Sequence, residues 1–431
     1  MSEGITILIK SWYGSLPRKG LVFLGVLTFG AVAFFFSGSI DLIPKAYFRL
    51  YDPIALGNVS DGNVSEKNSK WETNATDADD DHWSDNRTYD SSINAQCKRS
   101  PFMFCSAEQK GDEAHPFHVG LLRRPAWMPE KIDFSRCKYS NCEFHGTNIN
   151  EETDFVVLYV VGIDDSYSPP KRWPHQLYGA FTMESPPHTR ASFLKHSPSV
   201  WNYAINVTIT YRTDADIFTP YGRLRFQPTP HKDRPNCYDI ARNKTRTAAW
   251  FVSNCRTPSK RDKYVKEMQK YIDVDIFGGC GQPCSRNGTD CFAELPREYK
   301  FYLSFENSLC TDYITEKFFK LFAPSMHIIP VVRGGAKYEK YFPKNTFINA
   351  ANFTSAKELA LYLKTLAGDL NAYSKLLEHK DMFKTLNDIE NSVGCQVCAL
   401  LNTKKDFRKI YDMKAWMGDG HCFEPRDLPS G

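Results

Sequence analysis

Residues 301–320, FYLSFENSLCTDYITEKFFK, decide how the fold is interpreted. The stretch opens as an apolar, aromatic run typical of a buried strand and turns polar within a few residues. The polar residues are Glu306, Asn307, Asp312, Tyr313, Glu316 and Lys317. Because polar groups are costly to bury without partners, this cluster at a strand end indicates a ligand site rather than core packing.

Segments on both sides of this stretch alternate between strand and helix patterns. Strand patterns occupy residues 154–162, 179–185, 205–218, 248–254, 274–279 and 326–332, and helix patterns occupy residues 259–272, 315–322 and 355 to about 386. This alternation predicts an α/β fold with parallel, doubly wound sheets. We expect two α/β halves that meet near residues 233–246, with ligands at the carboxyl ends of the strands.

The helix predicted directly after the polar cluster is a second indication of binding. If Asp312 or Thr311 caps it, one of its faces carries Tyr313, Glu316, Lys317 and Lys320. A helix N-terminus with a lysine in its first turns is suited to an anion. An ordinary capped amphipathic helix is the alternative, and this segment alone slightly favours that alternative.

Composition excludes some classes of protein. A chain of 431 residues with 42% hydrophobic residues can bury one or two sizeable cores. The net charge of +4 forms no basic stripe, and no zinc-finger spacing occurs. We therefore expect no nucleic-acid partner.

An uncharged run of 21 residues, 20–40, is long enough to cross a bilayer core of ~30 Å at ~1.5 Å per residue. It predicts an uncleaved transmembrane signal-anchor, with a cleaved signal peptide as the alternative. Basic residues are more frequent before the run than after it. This bias places the tail, residues 1–19, in the cytosol and the rest of the chain outside or in a lumen.

Residues 41–96 are predicted to form a disordered, solvated stem, because most of this segment, residues 57–96, is acidic and poor in hydrophobic residues. Thirteen cysteines agree with an oxidising compartment. So do the N-x-S/T glycosylation candidates, which are Asn58, Asn63, Asn74, Asn86, Asn206, Asn243, Asn287 and Asn352.

Five sequence blocks resemble the α1,3-fucosyltransferase family, which transfers L-fucose from GDP-fucose to N-acetylglucosamine of glycans. The most specific is FENSLCTDYITEK at 305–317. The others are FTMESPPHT at 181–189, TYRTDADIFTPYG at 210–222, WFVSNC at 250–255 followed by Arg261, and CQVC at 395–398. They stand in the family order and cover about residues 137–416.

The resemblance implies a GT-B arrangement of two Rossmann-like domains and a Golgi type II membrane protein. Residues 97–240 would bind the acceptor, residues 241–394 would bind GDP-fucose, and residues 395–431 would return to the first domain. The implied donor-binding residues are Tyr221, Ser253, Asn254, Arg261, Tyr302, Asn307, Tyr313, Glu316 and Lys317.

Transfer from a β-linked donor to an α-linked product inverts the anomeric carbon, so one general base suffices. Glu184, before a Pro-Pro turn, resembles the family's base; without that context a surface carboxylate at a turn is the preferred interpretation. His188 is a weaker candidate, with a structural or acceptor-contacting role. Arg261 and Lys317 would offset the negative charge on the departing GDP.

We expect no required metal, although stimulation by Mn²⁺ stays open. The Asp-x-Asp at 214–216 has metal-binding spacing, but it lies in the acceptor half, and surface roles or hydrogen bonds within its own loop are preferred. The cysteines favour disulfides over zinc. By resemblance, Cys137 and Cys142 would bridge to Cys395 and Cys398.

Other functions stay open on this evidence. A membrane-anchored carbohydrate-binding receptor would share the anchor, stem and disulfides, and a GT-B enzyme could use another nucleotide sugar. Within the family, the acceptor is either the core chitobiose of N-glycans or an antennary lactosamine or LacdiNAc.

Overall fold

The computed structural model describes residues 100–103, 116–126, 128, 131–195, 199–201, 203–229, 233–286, 289–385, 392–403, 407 and 409–428. The predicted cytoplasmic tail, membrane span and stem lie outside these residues, as do Asn58, Asn63, Asn74, Asn86 and Asn287. Within the described residues, no helix combines the length and the apolar character needed to span a membrane.

The N-terminal sheet is parallel throughout, with strand order β2-β1-β3-β4-β5-β6. Its strands are β1 (Phe117–Leu122), β2 (Cys142–Gly146), β3 (Phe155–Tyr159), β4 (Leu177–Thr182), β5 (Val207–Thr210) and β6 (Ile217–Phe218). Strand β3 falls within its predicted pattern, β4 overlaps its pattern but begins two residues earlier, and the single pattern at 205–218 contains both β5 and β6. Strands β1 and β2 were not predicted.

The C-terminal sheet is also parallel, with order β14-β13-β12-β8-β9. The remaining strands are β7 (Leu224–Phe226), β8 (Arg246–Phe251), β9 (Val274–Phe277), β10 (Ser285–Arg286), β11 (Thr289–Asp290), β12 (Tyr299–Phe305), β13 (Ile329–Arg333), β14 (Ile348–Asn349) and β15 (Phe383–Thr385). Antiparallel pairing joins β7 to β15 and β10 to β11. The predicted α/β class with parallel sheets is therefore confirmed.

Helices connect the strands and cover both sheets. They are α1 (Pro186–Thr189), α2 (Cys237–Asn243), α3 (Arg261–Met268), α4 (Cys291–Glu298), α5 (Glu316–Phe319), α6 (Tyr338–Tyr341), α7 (Ala356–Gly368), α8 (Leu370–Asp381) and α9 (Val393–Thr403). Single turns of 3₁₀ helix lie at Ser192–Leu194, Lys320–Phe322 and Ala350–Asn352, and a π-helical turn lies at Lys414–Gly418.

Strand β3 shows why the N-terminal sheet has a core on each face. Phe155 and Val157 pack in one cluster with Val397 of α9, whereas Val156 and Leu158 pack in another. Alternate side chains of a strand point to opposite faces, so a continuous apolar run requires cover on both. The C-terminal sheet likewise packs one cluster on each face.

The long helix predicted at 355 to about 386 is two helices. Asp369 separates α7 from α8, and its carboxylate accepts a hydrogen bond from the Ala372 N–H at 2.9 Å. The Asp369 N–H closes α7 by donating to the Thr365 and Leu366 carbonyls. An aspartate after a glycine, here Gly368, favours such a cap-to-cap junction, which apolar periodicity does not reveal.

Two disulfides join α9 to the N-terminal sheet. Cys137 pairs with Cys395, and Cys142 pairs with Cys398. Both partners of each pair are those that the family resemblance implied. The disulfides link the N-terminal sheet covalently to a helix near the end of the chain, across sequence separations of 258 and 256 residues.

The three described glycosylation candidates have different environments. Asn243 and Asn352 are exposed. Asn206 is 4% exposed, its Oδ1 accepts from the Tyr178 N–H at 3.1 Å, and its Nδ2 donates to the Lys409 carbonyl at 3.1 Å. A glycan on Asn206 is incompatible with this arrangement, so the sequence motif alone is misleading at that position.

We expect the two disulfides to contribute non-additively to stability. The first closes a loop of more than 250 residues, whereas the second, once the first is present, closes a loop of only about ten. Chain entropy then gives a loss of about 2–3 kcal/mol in the free energy of unfolding for Cys142→Ala/Cys398→Ala and about 8 kcal/mol when Cys137 and Cys395 are replaced as well. Urea unfolding followed by tryptophan fluorescence measures both values.

The matched control is removal of the Cys255–Cys280 disulfide, which lies in the C-terminal half and has a sequence separation of 25. Its effect should add to that of Cys142→Ala/Cys398→Ala, because the two loops are separate. The chain-entropy argument would be contradicted if removing the second of the two α9 disulfides lowered the free energy of unfolding by only as much as removing the first.

Candidate functional site

The polar cluster after β12 is organised around Glu306, whose side chain is fully buried. Its carboxylate accepts hydrogen bonds from the Thr315 N–H and from the Thr315 hydroxyl, both at 2.8 Å. Lys317 Nζ lies 3.5 Å from Glu306 Oε2. Burial raises the pKa of Glu306, and Lys317 opposes that shift. The carboxylate thus fixes the start of α5 and holds a cation beside the strand end.

Helix α5 begins later than the sequence predicted. Its N-cap is Thr315, whose hydroxyl accepts from the Lys317 N–H at 3.4 Å, rather than Asp312 or Thr311. Asp312 is in the left-handed region, with φ of 56°, and its carboxylate accepts from the Thr213 hydroxyl at 2.6 Å and the Tyr341 hydroxyl at 2.7 Å. Because the Asp312 carboxylate bonds to these distant residues, it does not cap the helix. Tyr313 therefore precedes the helix instead of lying on its face.

Lys317 lies between two carboxylates. Its Nζ is 2.9 Å from Glu316 Oε1 and donates to the Thr315 hydroxyl at 2.9 Å. Burial alone would lower the pKa of Lys317, but Glu316 and Glu306 outweigh burial and raise it. Burial alone would raise the pKa of Glu316, whose side chain is partly exposed, but Lys317 lowers it. Both groups are therefore charged at neutral pH.

Arg261, at the start of α3, is a buried cation with an unsatisfied donor. Its Nη1 donates to the Phe305 carbonyl at 2.7 Å and its Nη2 to the Asn254 carbonyl at 3.2 Å. Burial lowers its pKa, and Glu306 opposes the shift. Within the part of the chain that the structure describes, Arg261 Nε and Asn307 Oδ1 are buried without hydrogen-bond partners. Such orphan groups are rare in native proteins and indicate a ligand that supplies both an acceptor and a donor.

Glu184 follows β4 at the carboxyl end of the N-terminal sheet. Its Oε2 lies 3.5 Å from the Tyr313 hydroxyl, and its backbone N–H donates to the Thr182 hydroxyl at 3.0 Å. Burial raises the pKa of Glu184; Lys317 lowers it and Glu316 raises it further. The fold therefore places Glu184 of the N-terminal half in contact with Tyr313, which lies just before the helix that carries Lys317 in the C-terminal half.

A second polar bridge between the halves was missed from the sequence. The Ser185 hydroxyl donates to the Ser308 hydroxyl at 2.9 Å, and His188 Nδ1 lies 3.1 Å from Ser185 Oγ and 3.2 Å from Ser308 Oγ. Burial lowers the pKa of His188, and Arg261 and Lys317 act in the same direction. The only available signal for Ser308 was its position just after the predicted strand.

The other predicted donor residues lie in different environments. The Tyr221 hydroxyl donates to the Met183 carbonyl, and its ring packs edge-on against Tyr313 at 6.3 Å. Tyr302 is 1% exposed and packs within the core. Ser253 and Asn254 are exposed after β8. The structure thus clusters Glu184, Tyr221 and Tyr313 with the cations, whereas Tyr302 lies beneath the surface.

Both carboxylates of the Asp-x-Asp motif accept hydrogen bonds. Asp216 Oδ2 accepts from the Thr208 hydroxyl at 2.9 Å and from the Tyr411 hydroxyl at 2.7 Å. Asp214 accepts from Arg212 Nε at 2.9 Å. The bond from Arg212 lies within the motif's own loop, whereas Tyr411 reaches Asp216 from the C-terminal segment.

Comparison with known proteins identifies related sequences for most of the body. Residues 119–222 match the family model "Fucosyltransferase, N-terminal", and residues 241–416 match "Glycosyltransferase family 10 (fucosyltransferase) C-term". A Drosophila melanogaster protein named glycoprotein 3-alpha-L-fucosyltransferase A is 36% identical over 300 residues, which are 67% of this chain and 57% of that protein. This chain thus spans less than two thirds of that curated relative.

Other relatives are covered more fully. A Bos taurus protein named 3-galactosyl-N-acetylglucosaminide 4-alpha-L-fucosyltransferase FUT3 is 34% identical over 325 residues, 72% of this chain and 85% of its own. Among solved structures, an alpha1,3-fucosyltransferase with GDP-fucose has a TM-score of 0.46 and 18% identity, and the match covers 73% of this chain and 98% of that one.

Removing the cation beside Glu306 should destabilise the fold. Lys317→Met leaves a fully buried carboxylate without its ion pair, and we expect the free energy of unfolding to fall by about 3 kcal/mol. Adding Glu306→Gln removes the unpaired charge while an amide oxygen can still accept from Thr315. The double variant should therefore be more stable than Lys317→Met in urea unfolding; a double variant that loses as much as the sum of both single variants would contradict the pairing.

Proposed function

Because the chain belongs to glycosyltransferase family 10, the fucosyltransferases, we propose that it transfers L-fucose from GDP-β-L-fucose, in α1,3 linkage, to N-acetylglucosamine of N-glycans. The observation that carries the proposal is the contact of Glu184, in the N-terminal half, with Tyr313, which lies four residues before Lys317 in the C-terminal half: Glu184 Oε2 is 3.5 Å from the Tyr313 hydroxyl. We further propose that the two parallel sheets are Rossmann-like domains in a GT-B arrangement, with the acceptor on the N-terminal sheet and the nucleotide sugar on the C-terminal one.

Glu184 acts as the general base in this mechanism. The acceptor hydroxyl oxygen attacks the anomeric carbon of fucose and forms the new C–O bond, while its proton passes to the Glu184 carboxylate. The bond from the anomeric carbon to the β-phosphate oxygen breaks, and its electron pair leaves with GDP. The raised pKa of Glu184 favours this role, because a carboxylate of higher basicity accepts a proton more readily.

The C-terminal half stabilises the departing diphosphate. Lys317 provides a compact cation, and Arg261 offers its unsatisfied Nε in a buried setting where charge interactions are strong. The unsatisfied Asn307 Oδ1 can accept a hydroxyl or N–H hydrogen bond from the donor. Glu316, held by Lys317 and partly exposed, can accept hydrogen bonds from fucose or ribose hydroxyls.

Two finer properties complete the proposal. Residues 20–40 would anchor the chain in the Golgi membrane as a single-pass type II protein, with the body in the lumen. The acceptor would be selected by residues 166–178 and 188–206, which leave the choice between core chitobiose and antennary lactosamine or LacdiNAc to experiment.

The decisive experiment is a transfer assay on the full chain purified in detergent. GDP-fucose and two UDP-sugars are offered with a core-type glycopeptide, a lactosamine and a LacdiNAc acceptor, and the product linkage is determined. We expect transfer from GDP-fucose alone. Glycan binding without affinity for GDP would instead indicate a carbohydrate-binding receptor, and transfer from a UDP-sugar would indicate another donor.

Glu184→Gln should separate catalysis from donor binding. Loss of the base should lower the turnover number by roughly 10²–10⁴-fold, while the dissociation constant for GDP, measured by calorimetry, changes little. Glu152→Gln, at an exposed position, is the matched control and should retain full turnover. Normal turnover by Glu184→Gln would remove Glu184 from the mechanism.

The pH profile should report the same carboxylate. A base works only when deprotonated, so turnover should fall as the pH drops through the pKa of Glu184, which burial raises above the ordinary value of 4.5. Tyr313→Phe removes a hydrogen bond that lowers this pKa, so the acidic limb should move to higher pH. Tyr203→Phe, at an exposed tyrosine, should leave it in place.

His188 also lies in the site, so a variant must distinguish the two groups. His188→Asn should retain the acidic limb if Glu184 determines it. Disappearance of the limb in His188→Asn would assign the titration to the imidazole instead.

A further inference from the structure

A group of metal-capable side chains lies on the edge pair β1 and β2, away from the proposed catalytic site. His118 on β1 is paired in register with Glu143 on β2. His145 lies two residues after Glu143 on β2, at an irregularity in the pairing where Val119 pairs with Phe144 and Gly120 pairs with Gly146. One ligand atom from each of the three side chains lies within 4.8 Å of the others.

The ring of His118 is oriented with a free lone pair toward this group. Its Nδ1 lies 3.0 Å from the Glu152 carbonyl oxygen, which can only accept a hydrogen bond, so Nδ1 carries the proton. In the neutral ring, Nε2 is then the unprotonated nitrogen, and it faces Glu143 Oε2 at 3.9 Å. Metal-binding histidines commonly donate their second N–H to a carbonyl in this manner.

The neighbouring residues hold His118 in place and bring in a second imidazole. The backbone N–H of His118 donates to Asp154 Oδ2 at 2.8 Å. The rings of His118 and His145 are stacked, with centroids 4.2 Å apart and an interplanar angle of 25°. Two imidazoles and one carboxylate therefore converge on one side of the sheet edge.

We propose that His118, Glu143 and His145 bind one Zn²⁺ ion. Two imidazole nitrogens and one carboxylate oxygen form a donor set that suits Zn²⁺ better than Mg²⁺ or Ca²⁺. A water molecule would be the fourth ligand. Bonds of about 2.0–2.2 Å require ligand atoms closer together than 3.9 Å. Glu143, with 69% of its side chain exposed, can close that gap by rotation. The half-buried His145 ring, now stacked on His118, must turn on zinc binding so that one of its nitrogens points at the ion.

The position of the group assigns the ion a structural role. His118 and Glu143 lie near the amino ends of β1 and β2, whereas Glu184 follows the carboxyl end of β4. In a parallel sheet, the amino ends of the strands lie on one side and the carboxyl ends on the opposite side. Strand β2 is an edge strand that pairs only with β1 among the described strands. Zinc would tie β2 to β1 beside the Cys142–Cys398 disulfide, independently of the proposed transferase activity.

The test uses the full chain, purified in detergent without a histidine tag and stripped of metals with EDTA. Titration with zinc chloride in a calorimeter should show one site per chain. The melting temperature should rise by about 2–4 °C at zinc concentrations well above the dissociation constant. Substitution by Co²⁺ should give the visible absorption band of a tetrahedral site.

Three variants and one control decide the outcome. His118→Asn, Glu143→Gln and His145→Asn should each weaken zinc binding by at least tenfold and abolish the rise in melting temperature. His175→Asn, an exposed histidine elsewhere in the same half, should leave both unchanged. Melting temperatures in EDTA and far-UV circular dichroism confirm that the variants fold.

Either of two results would overturn the proposal. One is the absence of a stoichiometric zinc site in the parent chain. The other is a site whose affinity is the same in all three variants as in His175→Asn.

Discussion

The site depends on the hydrogen bonds and the ion pair that satisfy the buried carboxylate of Glu306. This carboxylate lies at the end of the central strand β12 with no exposure to solvent, and the Thr315 N–H, the Thr315 hydroxyl and Lys317 are its partners. A buried charge is tolerated only when it is paired and hydrogen-bonded. The same contacts that satisfy Glu306 start α5 and hold Lys317 where a diphosphate could meet it, so the local stability and the proposed chemistry have one physical origin.

The two halves meet through polar contacts around Glu184 and the segment that precedes α5. The Tyr313 hydroxyl reaches Glu184, Asp312 accepts hydrogen bonds from Thr213, and Ser308 joins Ser185. The C-terminal segment adds two further connections. Its helix α9 is disulfide-bonded to the N-terminal sheet, and after it Cys422 pairs with Cys310 and Asp427 pairs with Arg333 at 2.7 Å in the C-terminal half. The C-terminal segment, from α9 to Asp427, therefore contacts both halves.

Much of the fold could be predicted because its strands are buried on both faces. Runs such as 154–162 and 326–332 are continuous and apolar, and only a covered sheet accommodates them. Prediction failed where local patterns compete with tertiary contacts. The edge strand β2 is mostly exposed or half-buried and carries polar residues, and the helix break at Asp369 depends on a cap that apolar periodicity does not show.

The sequence by itself determined the parallel α/β class and, through its family blocks, predicted candidate residues for the site. Strand and helix patterns depend on residues close together in the chain, so composition and spacing report them directly. Only the tertiary structure decided that Thr315 rather than Asp312 caps α5, that Ser308 bridges the halves and that Glu184 contacts Tyr313. These outcomes depend on partners far apart in the chain, whose burial and hydrogen bonding are settled only when both sheets are assembled.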